Sequence, residues 1–289
     1  MAGAVLVTGC STGIGRATAS HLARCGWDVY ATARRPGSIE DLGAQGCRVL
    51  RLDVCDEESM TSAVKEVEES SGGVNVLVNN AGYGLQGPVE ELDLDEVRRQ
   101  FETNLFGPLR LTQMVLPGMR ARGGGRIVNV GSVGGRLALP GGGAYHASKY
   151  ALEALSDALR FEVRGFGIEV ILIEPGAIRS RWVDKAAATV PEREGPYRNL
   201  KQAITGQLRG AHEGLLKLTA GPPEAAARVI EHAVTVDDPR PRYVVPRAAG
   251  LFIASRKYLP DRMWDAFMRR RYPTPGESNH PTGDEGGHR

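Results

Sequence analysis

The amino-acid sequence predicts an α/β fold in which helices flank a doubly wound parallel sheet of about seven strands. Three observations support this prediction. Short apolar runs alternate along the chain with segments of helical character, which is the order of β-α-β units. Several of these runs are almost continuous in Val, Ile and Leu, as expected of strands that are buried on both faces. A glycine-rich turn connects the first apolar run to the first helical segment.

The predicted elements follow one another in a regular order. The strands are Ala4–Val7, Asp28–Thr32, Arg48–Leu52, Val74–Val78, Gly125–Val130, Glu169–Glu174 and Arg242–Val245. The helices between them start near Ile14, Ile39, Glu57, Asp95, Ala144 and Pro223. Because a helix separates most successive strands, neighbouring strands of the sheet are expected to run parallel.

Length and composition suit a single domain. A chain of 289 residues can bury a large core without dividing. We expect one domain over residues 1–272, with a lid over the site at about 181–221 and a C-terminal extension at about 248–272. Residues 273–289 are rich in Pro, Gly and polar side chains, which is typical of a disordered tail.

Charge and cysteine content exclude several classes of protein. The net charge of +2 gives no reason to expect a nucleic-acid partner. The 4 cysteines have no metal-like spacing, so we expect a reducing compartment, no disulfide framework and no metal site. No apolar run is long enough to span a bilayer, and no signal peptide is recognisable. We therefore expect a cytoplasmic protein without a transmembrane segment.

The glycine-rich turn is a candidate nucleotide-binding site. Glycines allow the backbone to approach a pyrophosphate, and the following helix offers free N–H groups at its positive end. The spacing G-x-x-x-G-x-G differs from the G-x-G-x-x-G of the general dinucleotide fingerprint, and a tight turn without a ligand is the alternative. The candidate binding residues are Gly9, Ser11, Thr12, Gly13, Ile14 and Gly15.

A second candidate site combines a tyrosine, a lysine and a serine. Tyr145 and Lys149 are four apart in a predicted helix and therefore lie on one helix face, and Ser132 precedes them. An ammonium beside a phenol favours the phenolate and lowers the pKa of the tyrosine from its usual value of about 10. Such a pair can pass a proton to or from a substrate oxygen. The pair alone is also compatible with an ordinary helix surface.

These motifs together resemble a known family. The matching segments are Thr8 to Gly15, Asn79-Asn80-Ala81-Gly82, Asn104, Ser132, Tyr145, Lys149 and Pro175-Gly176. They occur in the order and spacing of the short-chain dehydrogenase/reductase family, over roughly residues 3 to 250. Gly131 to Gly135 and Val29 to Ala33 are most similar to the branch with the 17β-hydroxysteroid and retinol dehydrogenases. The resemblance implies a seven-stranded Rossmann-type sheet with a dinucleotide across the carboxyl ends of its strands.

The resemblance implies catalytic roles for Asn104, Ser132, Tyr145 and Lys149. Tyr145 is expected to exchange a proton with the substrate oxygen, to which Ser132 donates a hydrogen bond. Lys149 is expected to bind the nicotinamide ribose while its charge tunes Tyr145. Asn104 is expected to interrupt its helix and to hold a water that connects Lys149 to solvent. Asn is also a poor residue inside a helix, because its side chain competes for backbone hydrogen bonds.

The resemblance extends the cofactor site to the ends of further strands. Asp53 is expected to contact the adenine, with the backbone of Val54 alongside; capping the helix that starts near Glu57 is the alternative role for Asp53. Asn79 is expected to connect strands of the central sheet. Ser180 stands where the family usually has Thr, and it keeps the hydroxyl. The other implied contacts are Asn80, Ala81, Gly82, Tyr145, Lys149, Pro175, Gly176 and Ile178.

The end of the second strand favours NADP(H) over NAD(H). Sites of this fold that prefer NAD place an acidic residue there, which binds the ribose 2′-hydroxyl. Here Arg34 and Arg35 follow the strand, and its end has no carboxylate. Guanidiniums bind a 2′-phosphate through charge and bidentate geometry, and Arg16 is expected to contribute. As an alternative, Arg34 and Arg35 only solubilise a loop, and NAD(H) remains possible.

The expected substrate pocket is apolar. Its candidate residues are Ser132, Leu137, Leu139, Tyr145 and Trp182. The leucines of the lid either line this pocket or simply belong to the core. An apolar lid favours a hydrophobic ketone or aldehyde such as a steroid, a retinoid, or an aryl or alkyl ketone. Residues 251–271 are amphipathic, and they either pack on the domain or touch a membrane surface.

Three functions are compatible with these residues. The leading one is an NADP(H)-dependent oxidoreductase that interconverts a hydrophobic ketone or aldehyde and its alcohol by hydride transfer, with tyrosine acid–base catalysis. A 3-ketoacyl-thioester reductase uses the same residues, but the C-terminal extension and the apolar lid argue against it. A non-catalytic dinucleotide-binding regulator has no need of Asn104, Ser132, Tyr145 and Lys149 together.

The expected partners are a hydrophobic small-molecule carbonyl or alcohol and further copies of this chain. The resemblance implies a homodimer or homotetramer. Its interfaces are expected on the helices near 95–120 and 145–165.

Overall fold

A computed structural model describes residues 3–210 and 220–276, and one sheet of seven parallel strands forms its framework. The strands are β1 (Ala4–Val7), β2 (Asp28–Ala33), β3 (Arg48–Arg51), β4 (Val76–Asn79), β5 (Gly125–Val130), β6 (Ile168–Pro175) and β7 (Arg242–Val245). Their order across the sheet is β3-β2-β1-β4-β5-β6-β7, and every neighbouring pair runs parallel. The predicted doubly wound α/β fold is confirmed.

Helices occupy the connections between the strands. They are α1 (Gly13–Arg24), α2 (Glu57–Ser71), α3 (Leu94–Phe101), α4 (Gly107–Ala121), α5 (Gly143–Val163), α6 (Trp182–Ala187), α7 (Arg198–Gly210), α8 (Pro223–Thr235), α9 (Ala249–Tyr258) and α10 (Asp261–Arg269). Shorter 3-10 helices span Pro36–Gln45, Val89–Glu91, Val133–Gly135 and Arg164–Phe166. A π-helical segment, Glu102–Phe106, separates α3 from α4.

The two faces of the sheet are covered by different helices. Helices α1 and α8 cover one face with the buried residues Ala19, Leu22, Ala226 and Ile230. Helices α2, α4 and α5 cover the other with Met60, Val64, Leu111, Val115 and Val163. Because both faces are covered, the central strands are mostly Val, Ile and Leu instead of alternating regularly between apolar and polar residues.

A third apolar cluster connects the C-terminal helices to the lid. Its buried members are Leu137, Val190, Ile204, Trp264, Met268 and Tyr272. The amphipathic C-terminal segment therefore packs on the rest of the chain through α10, which is one of the two alternatives for it. Residues 211–219 of the lid and most of the predicted tail, 277–289, lie outside the described residues.

One predicted helix differs in type. The segment around Ile39 forms a 3-10 helix, and it still buries Ile39 and Leu42. Gly37 and Gly43 lie inside it, and glycine disfavours a regular α-helix. Gly46 ends it in the left-handed conformation, at φ 91°.

The described residues carry neither a membrane-spanning helix nor a clustered metal site. No described helix combines the length and the hydrophobicity needed to cross a bilayer. Among the same residues, no three His, Cys, Asp or Glu side chains are grouped so that they could hold a metal ion. All four cysteines are free, and Cys10 and Cys47 are buried.

Candidate active site

The glycine-rich turn between β1 and α1 is tied to the end of β4. The Thr8 hydroxyl accepts hydrogen bonds from the backbone N–H groups of Asn80 (2.9 Å) and Ala81 (3.0 Å). In return, the Asn80 amide nitrogen donates to the Thr8 carbonyl (2.8 Å). These bonds bring two predicted cofactor segments together at the point where the strand order reverses, which is where open α/β sheets bind ligands.

The glycines of the turn are needed for conformation and for space. Gly9 and Gly13 have φ values of 73° and 61°, which favour glycine. A Cβ on Gly9 would lie 2.9 Å from the Cα of Ala81, and a Cβ on Gly15 would lie 2.6 Å from the carbonyl oxygen of Gly9. Thr12 stands at the N-cap of α1 without a side-chain cap bond. The first N–H groups of α1, which include that of Ile14, thus fit a pyrophosphate.

The end of β3 corrects one alternative from the sequence. The Asp53 carboxylate accepts from the backbone N–H of Cys55 (3.1 Å). The N-cap of α2 is Asp56, whose side chain accepts from the N–H of Ser59 (3.2 Å). The capping role considered for Asp53 is therefore wrong. Its cofactor role, with buried Val54 beside it, stays a prediction.

Two of the three predicted arginines are exposed and make no ion pair within residues 3–210 and 220–276. These are Arg34 and Arg35, directly after β2. Arg16 instead pairs with Asp41, and this contact holds the pKa of Asp41 below its usual value. The end of the strand has no carboxylate, as the sequence indicated. The 3-10 helix that follows supplies one, and the sequence reasoning missed it.

Asn104 lies in the π-helical segment, where its amide is fully engaged. Its side-chain oxygen accepts from the N–H of Tyr83 (3.1 Å), and its nitrogen donates to the carbonyl of Tyr83 (2.9 Å) and the hydroxyl of Ser148 (3.1 Å). A Cβ on Gly82 would lie 3.0 Å from the Asn104 side-chain oxygen and 3.7 Å from the Lys149 amine. Asn104 thus interrupts the helix as expected and lies near Lys149.

Asn79 connects the central strands. Its amide nitrogen donates to the side-chain oxygen of Asn129 on β5 (2.9 Å). The amide nitrogen of Asn129 then donates to the hydroxyl of Ser156 on α5 (2.8 Å). This buried chain of hydrogen bonds fixes α5 against the sheet, and α5 carries two of the predicted catalytic residues.

Ser132, Tyr145 and Lys149 meet where β5 ends and α5 begins. The Ser132 hydroxyl accepts from the N–H of Gly134 (3.0 Å), and its influence on the neighbouring Tyr145 phenol is to lower that group's pKa. The Lys149 amine is buried and donates to the carbonyl of Val130 (2.9 Å). The Gly134 N–H occupies one lone pair of the serine oxygen, which leaves the hydroxyl proton for Tyr145 or a substrate oxygen.

The pKa of Tyr145 is shifted in the direction opposite to that expected. Burial raises it to about 12, although the hydrogen bond to Ser132 acts against this. Burial also lowers the pKa of Lys149 to about 8, and the charge of Glu153 opposes the lowering. Desolvation outweighs the influence of Lys149, whose amine hydrogen-bonds a backbone carbonyl rather than the phenol. Tyr145 is therefore protonated at neutral pH.

The segment after β6 faces the glycine-rich turn. Pro175 ends β6. The N–H of Gly176 donates a hydrogen bond to the carbonyl oxygen of Val245 on β7 (2.8 Å). Ile178 is buried, and a Cβ on Gly13 would lie 3.5 Å from the Cβ of Ser180. The predicted pyrophosphate and nicotinamide segments are therefore neighbours.

An apolar cavity of about 180 Å³ adjoins the predicted catalytic residues. It is lined by Gln86, Ser132, Val133, Gly134, Leu137, Leu139, Pro140, Tyr145, His146, Trp182, Ile204, Leu208, Phe252 and Tyr272. All five predicted pocket residues are among them. The ring of Trp182 lies 5.2 Å from that of Tyr145, measured between centroids. Of the lid leucines, Leu208 lines this cavity and Leu200 packs against the third apolar cluster, whereas those at 215, 216 and 218 lie outside the described residues.

Sequence reasoning missed several residues of the cavity wall. Gln86 and His146 are its polar members outside the predicted catalytic set, and Tyr272 comes from the end of the described chain. His146 was detectable because it directly follows Tyr145 in the catalytic motif. No local pattern marked Gln86 or Tyr272, because each reaches the cavity through a long-range contact.

Two buried carboxylates lie behind Lys149. The Arg242 guanidinium donates to Glu153 (3.0 Å) and also lies 3.3 Å from Glu174, which Arg136 contacts at 3.1 Å. Burial, together with the nearby charge of Glu174, raises the pKa of Glu153 to about 7. Glu153 is one turn after Lys149 on α5, so its ionisation influences the charge at the site.

We expect Glu153→Gln to change the free energy of unfolding more favourably at pH 8 than at pH 5. The folded-state pKa of Glu153 is raised, so its contribution to stability is present below about pH 4.5 and is lost as the pH rises through 7. Removing this ionisation should make the variant's stability gain about 2 kcal/mol larger at pH 8 than at pH 5. Urea unfolding of both proteins at both pH values measures the change. Equal differences at the two pH values would contradict it.

Comparisons with known proteins identify the family to which the chain belongs. The family model for short chain dehydrogenases matches residues 3–190. YbbO, an uncharacterised oxidoreductase of Escherichia coli (strain K12), is 38% identical, over 92% of this chain and 93% of its own. The 3-ketodihydrosphingosine reductase of Bacteroides thetaiotaomicron is 34% identical, over 93% of this chain and 97% of its own. Human retinol dehydrogenase 5 is 34% identical, over 95% of this chain and 90% of its own.

Solved structures match over almost the whole chain. A short-chain dehydrogenase from Streptomyces avermitilis superposes with a TM-score of 0.79 at 34% identity, covering 93% of this chain and 95% of its own. A short-chain dehydrogenase/reductase from Burkholderia phymatum, solved with NAD, superposes with a TM-score of 0.76 at 25% identity. The match covers 96% of this chain and 98% of its own. The chain belongs to the short-chain dehydrogenase/reductase family. It is an oxidoreductase of that family, whose members bind NAD(P).

Proposed function

We propose that this protein is an NADP(H)-dependent oxidoreductase that interconverts a hydrophobic ketone or aldehyde and its alcohol. The observation that carries the proposal is that Ser132 and Tyr145 lie together in the wall of one apolar cavity. Both hydroxyls line that cavity, where a carbonyl oxygen can meet them. Lys149 and Asn104 lie within a few ångströms of Gly82, next to the glycine-rich turn.

Ser132, Tyr145 and Lys149 each have a separate role in the proposed reaction. When bound, the dinucleotide supplies the hydride. Ser132 donates a hydrogen bond to the carbonyl oxygen and shares the negative charge that develops there. Tyr145 gives its proton to the same oxygen. Lys149, buried and held by Val130, provides the nearby positive charge that offsets the cost of a phenolate at Tyr145.

The protonation state of Tyr145 favours reduction over oxidation near neutral pH. Its raised pKa keeps the phenol protonated, which is the form that can donate a proton to a carbonyl oxygen. Oxidation of an alcohol requires the phenolate, which becomes more abundant as the pH rises. We therefore expect the oxidation rate to increase towards alkaline pH more steeply than the reduction rate.

The chemistry of the cavity and the names of two relatives support a hydrophobic substrate. Apart from the hydroxyl and amide groups, the lining is aliphatic and aromatic, and Leu137, Ile204 and Phe252 belong to it. One relative is named as a reductase of 3-ketodihydrosphingosine and another as a dehydrogenase of retinol. Both names describe the interconversion of a carbonyl and an alcohol on a hydrophobic molecule.

The test is NADPH oxidation by the purified protein with steroid, retinal, aryl-ketone, alkyl-ketone and acetoacetyl-thioester substrates. Turnover of hydrophobic ketones or aldehydes is the expected result. Turnover of the acetoacetyl thioester alone would instead identify a ketoacyl-thioester reductase. Tight NADPH binding without turnover of any of the five classes would support a non-catalytic regulator and contradict the proposal.

We expect Arg34→Glu to lower the preference for NADPH over NADH. In the wild type, exposed Arg34 and Arg35 provide two guanidiniums for the 2′-phosphate, and charge-assisted hydrogen bonds of this kind contribute about 1.5–3 kcal/mol each. The ratio of kcat/KM for NADPH over NADH should fall by about tenfold or more. Arg262→Glu makes the same charge change at an exposed position of α10 and should leave the ratio unchanged. Equal or better use of NADH by the wild type would contradict NADP(H) preference.

Assembly into a homodimer or homotetramer is part of the same proposal. Exposed apolar side chains on the helices predicted to form the interfaces support it; these are Phe106, Tyr150, Leu155 and Phe161. Phe161 is 87% exposed, and burial of its ring in an interface would remove a large apolar area from water.

A further inference from the structure

Two polar side chains of the cavity wall are unused by the proposed reaction. Gln86 and His146 are only 6% and 8% exposed, and both line the cavity beside Tyr145. The rings of His146 and Tyr145 are 5.7 Å apart between centroids. Buried polar groups normally have hydrogen-bond partners, so the partners of these two groups reveal what the cavity can accept.

Because one ring nitrogen of His146 donates to a backbone carbonyl, the other ring nitrogen is left as a hydrogen-bond acceptor. Its Nδ1 atom lies 2.9 Å from the carbonyl oxygen of Gly134. A carbonyl oxygen only accepts, so Nδ1 carries a proton and donates it. Burial lowers the pKa of His146 below its usual value, so the ring is neutral at pH 7. The remaining nitrogen, Nε2, therefore presents a lone pair.

Gln86 leaves its side-chain amide available. Its backbone N–H donates to the hydroxyl of Thr189 (2.9 Å), which anchors the residue next to the lid. Among the described residues, its side-chain amide makes no hydrogen bond, and the residue as a whole is 6% exposed in the cavity wall. The amide is therefore available to a ligand or a water in the cavity.

The two groups converge beside Gly142. A Cβ at Gly142 would lie 2.5 Å from His146 Nε2 and 3.4 Å from the side-chain oxygen of Gln86. The φ of Gly142 is −104°, which any residue adopts, so the absent side chain provides space rather than backbone freedom. A Cβ at Gly134 would lie 2.6 Å from His146 Nδ1 and 3.3 Å from the Ser132 hydroxyl. The imidazole of His146 therefore lies near the Ser132 hydroxyl, and Gln86 lines the same cavity.

We propose that Gln86 and His146 form a polar subsite for a hydrogen-bond donor on the carbon next to the substrate carbonyl. The inference rests on the proposed function and specifies its substrate class as hydrophobic ketones with a neighbouring hydroxyl or amino group. Two acceptors directed at one place match a group that donates O–H or N–H bonds. Among the described residues that line the cavity there is no carboxylate, so an uncharged hydroxyl suits it better than an ammonium group.

The test compares three alcohols that differ only at one carbon. The oxidation of 3-decanol, 2,3-decanediol and 2-amino-3-decanol by NADP⁺ is measured, with each diastereomer taken separately. We expect kcat/KM for the diol to exceed that for 3-decanol by about tenfold, the effect of one good hydrogen bond to a buried acceptor. A preference for the amino alcohol alone would retain the subsite and identify its donor as an amine.

Two variants assign the preference to its residues. Gln86→Leu removes the amide, and His146→Asn keeps an N–H donor for the Gly134 carbonyl while removing Nε2. Each should reduce the diol-to-decanol ratio to about a third or less, whereas Gln113→Leu, at an exposed position of α4, should keep it. The ratio is internal to each protein, so a general loss of activity does not affect it.

The outcomes separate this inference from the proposed function. Equal kcat/KM for all three alcohols in the wild type would overturn the subsite and leave the oxidoreductase proposal intact. An unchanged ratio in both variants would overturn the assignment to Gln86 and His146. Failure to oxidise any alcohol, in a protein that also fails with the five carbonyl classes, would overturn the proposed function and the subsite with it.

Discussion

Tyr145→Phe should lower kcat by on the order of 10³-fold while leaving NADPH affinity nearly unchanged. Phenylalanine keeps the ring, its contact with Trp182 and its place in the cavity wall, and it loses only the hydroxyl that transfers the proton. General acid catalysis by a positioned side chain contributes a factor of roughly 10² to 10⁴, so its removal is the largest single-residue effect that we expect. Steady-state reduction of the best ketone gives kcat.

Binding measurements distinguish this loss from misfolding. Fluorescence titration of NADPH should give dissociation constants within about twofold of each other for the variant and the wild type, because the phenol is not a main binding group. Tyr258→Phe is the matched control, since that tyrosine is 76% exposed on α9. It should retain full activity. Substantial turnover by Tyr145→Phe would refute the assignment of the proton donor.

Ser132→Ala should lower kcat by about 10²- to 10³-fold. The serine hydroxyl is oriented in advance, because it accepts from the Gly134 N–H beside Tyr145 in the cavity wall. Oriented donors of this kind stabilise developing negative charge without reorganisation during the reaction. The same change removes the hydrogen bond that acts against the raised pKa of Tyr145, so the alkaline limb of the oxidation profile should move to higher pH.

The shift of the pH profile makes this prediction specific. A merely structural serine would lower activity without moving the profile. Ser70→Ala, at an exposed position of α2, serves as the matched control and should change neither quantity. A Ser132→Ala variant with wild-type kcat would contradict the role in polarising the carbonyl.

Features that depend on local sequence were predictable. All seven strands were located to within about two residues, because near-continuous runs of Val, Ile and Leu are typical of strands buried on both faces. The interruption at Asn104 was predictable because Asn is unsuited to a helix interior. The structure gives that interruption as a π-helical segment.

Features that depend on long-range packing were not predictable. The raised pKa of Tyr145 results from burial by segments distant in sequence, and helix spacing alone gave the wrong direction. The pairing of Arg16 with Asp41 joins residues 25 positions apart. Tyr272 reaches the cavity only because α10 packs in the third apolar cluster. Such contacts leave no periodic signal in the chain.

The most direct test of the central claim follows the hydride itself. NADPH deuterated at C4 on either face of the ring is supplied with the hydrophobic ketone that is turned over fastest, and the alcohol is examined by mass spectrometry. We predict deuterium on the carbinol carbon from one of the two labelled cofactors only, because a fixed site exposes one face. Consumption of NADPH without deuterium in the alcohol from either cofactor would contradict the account.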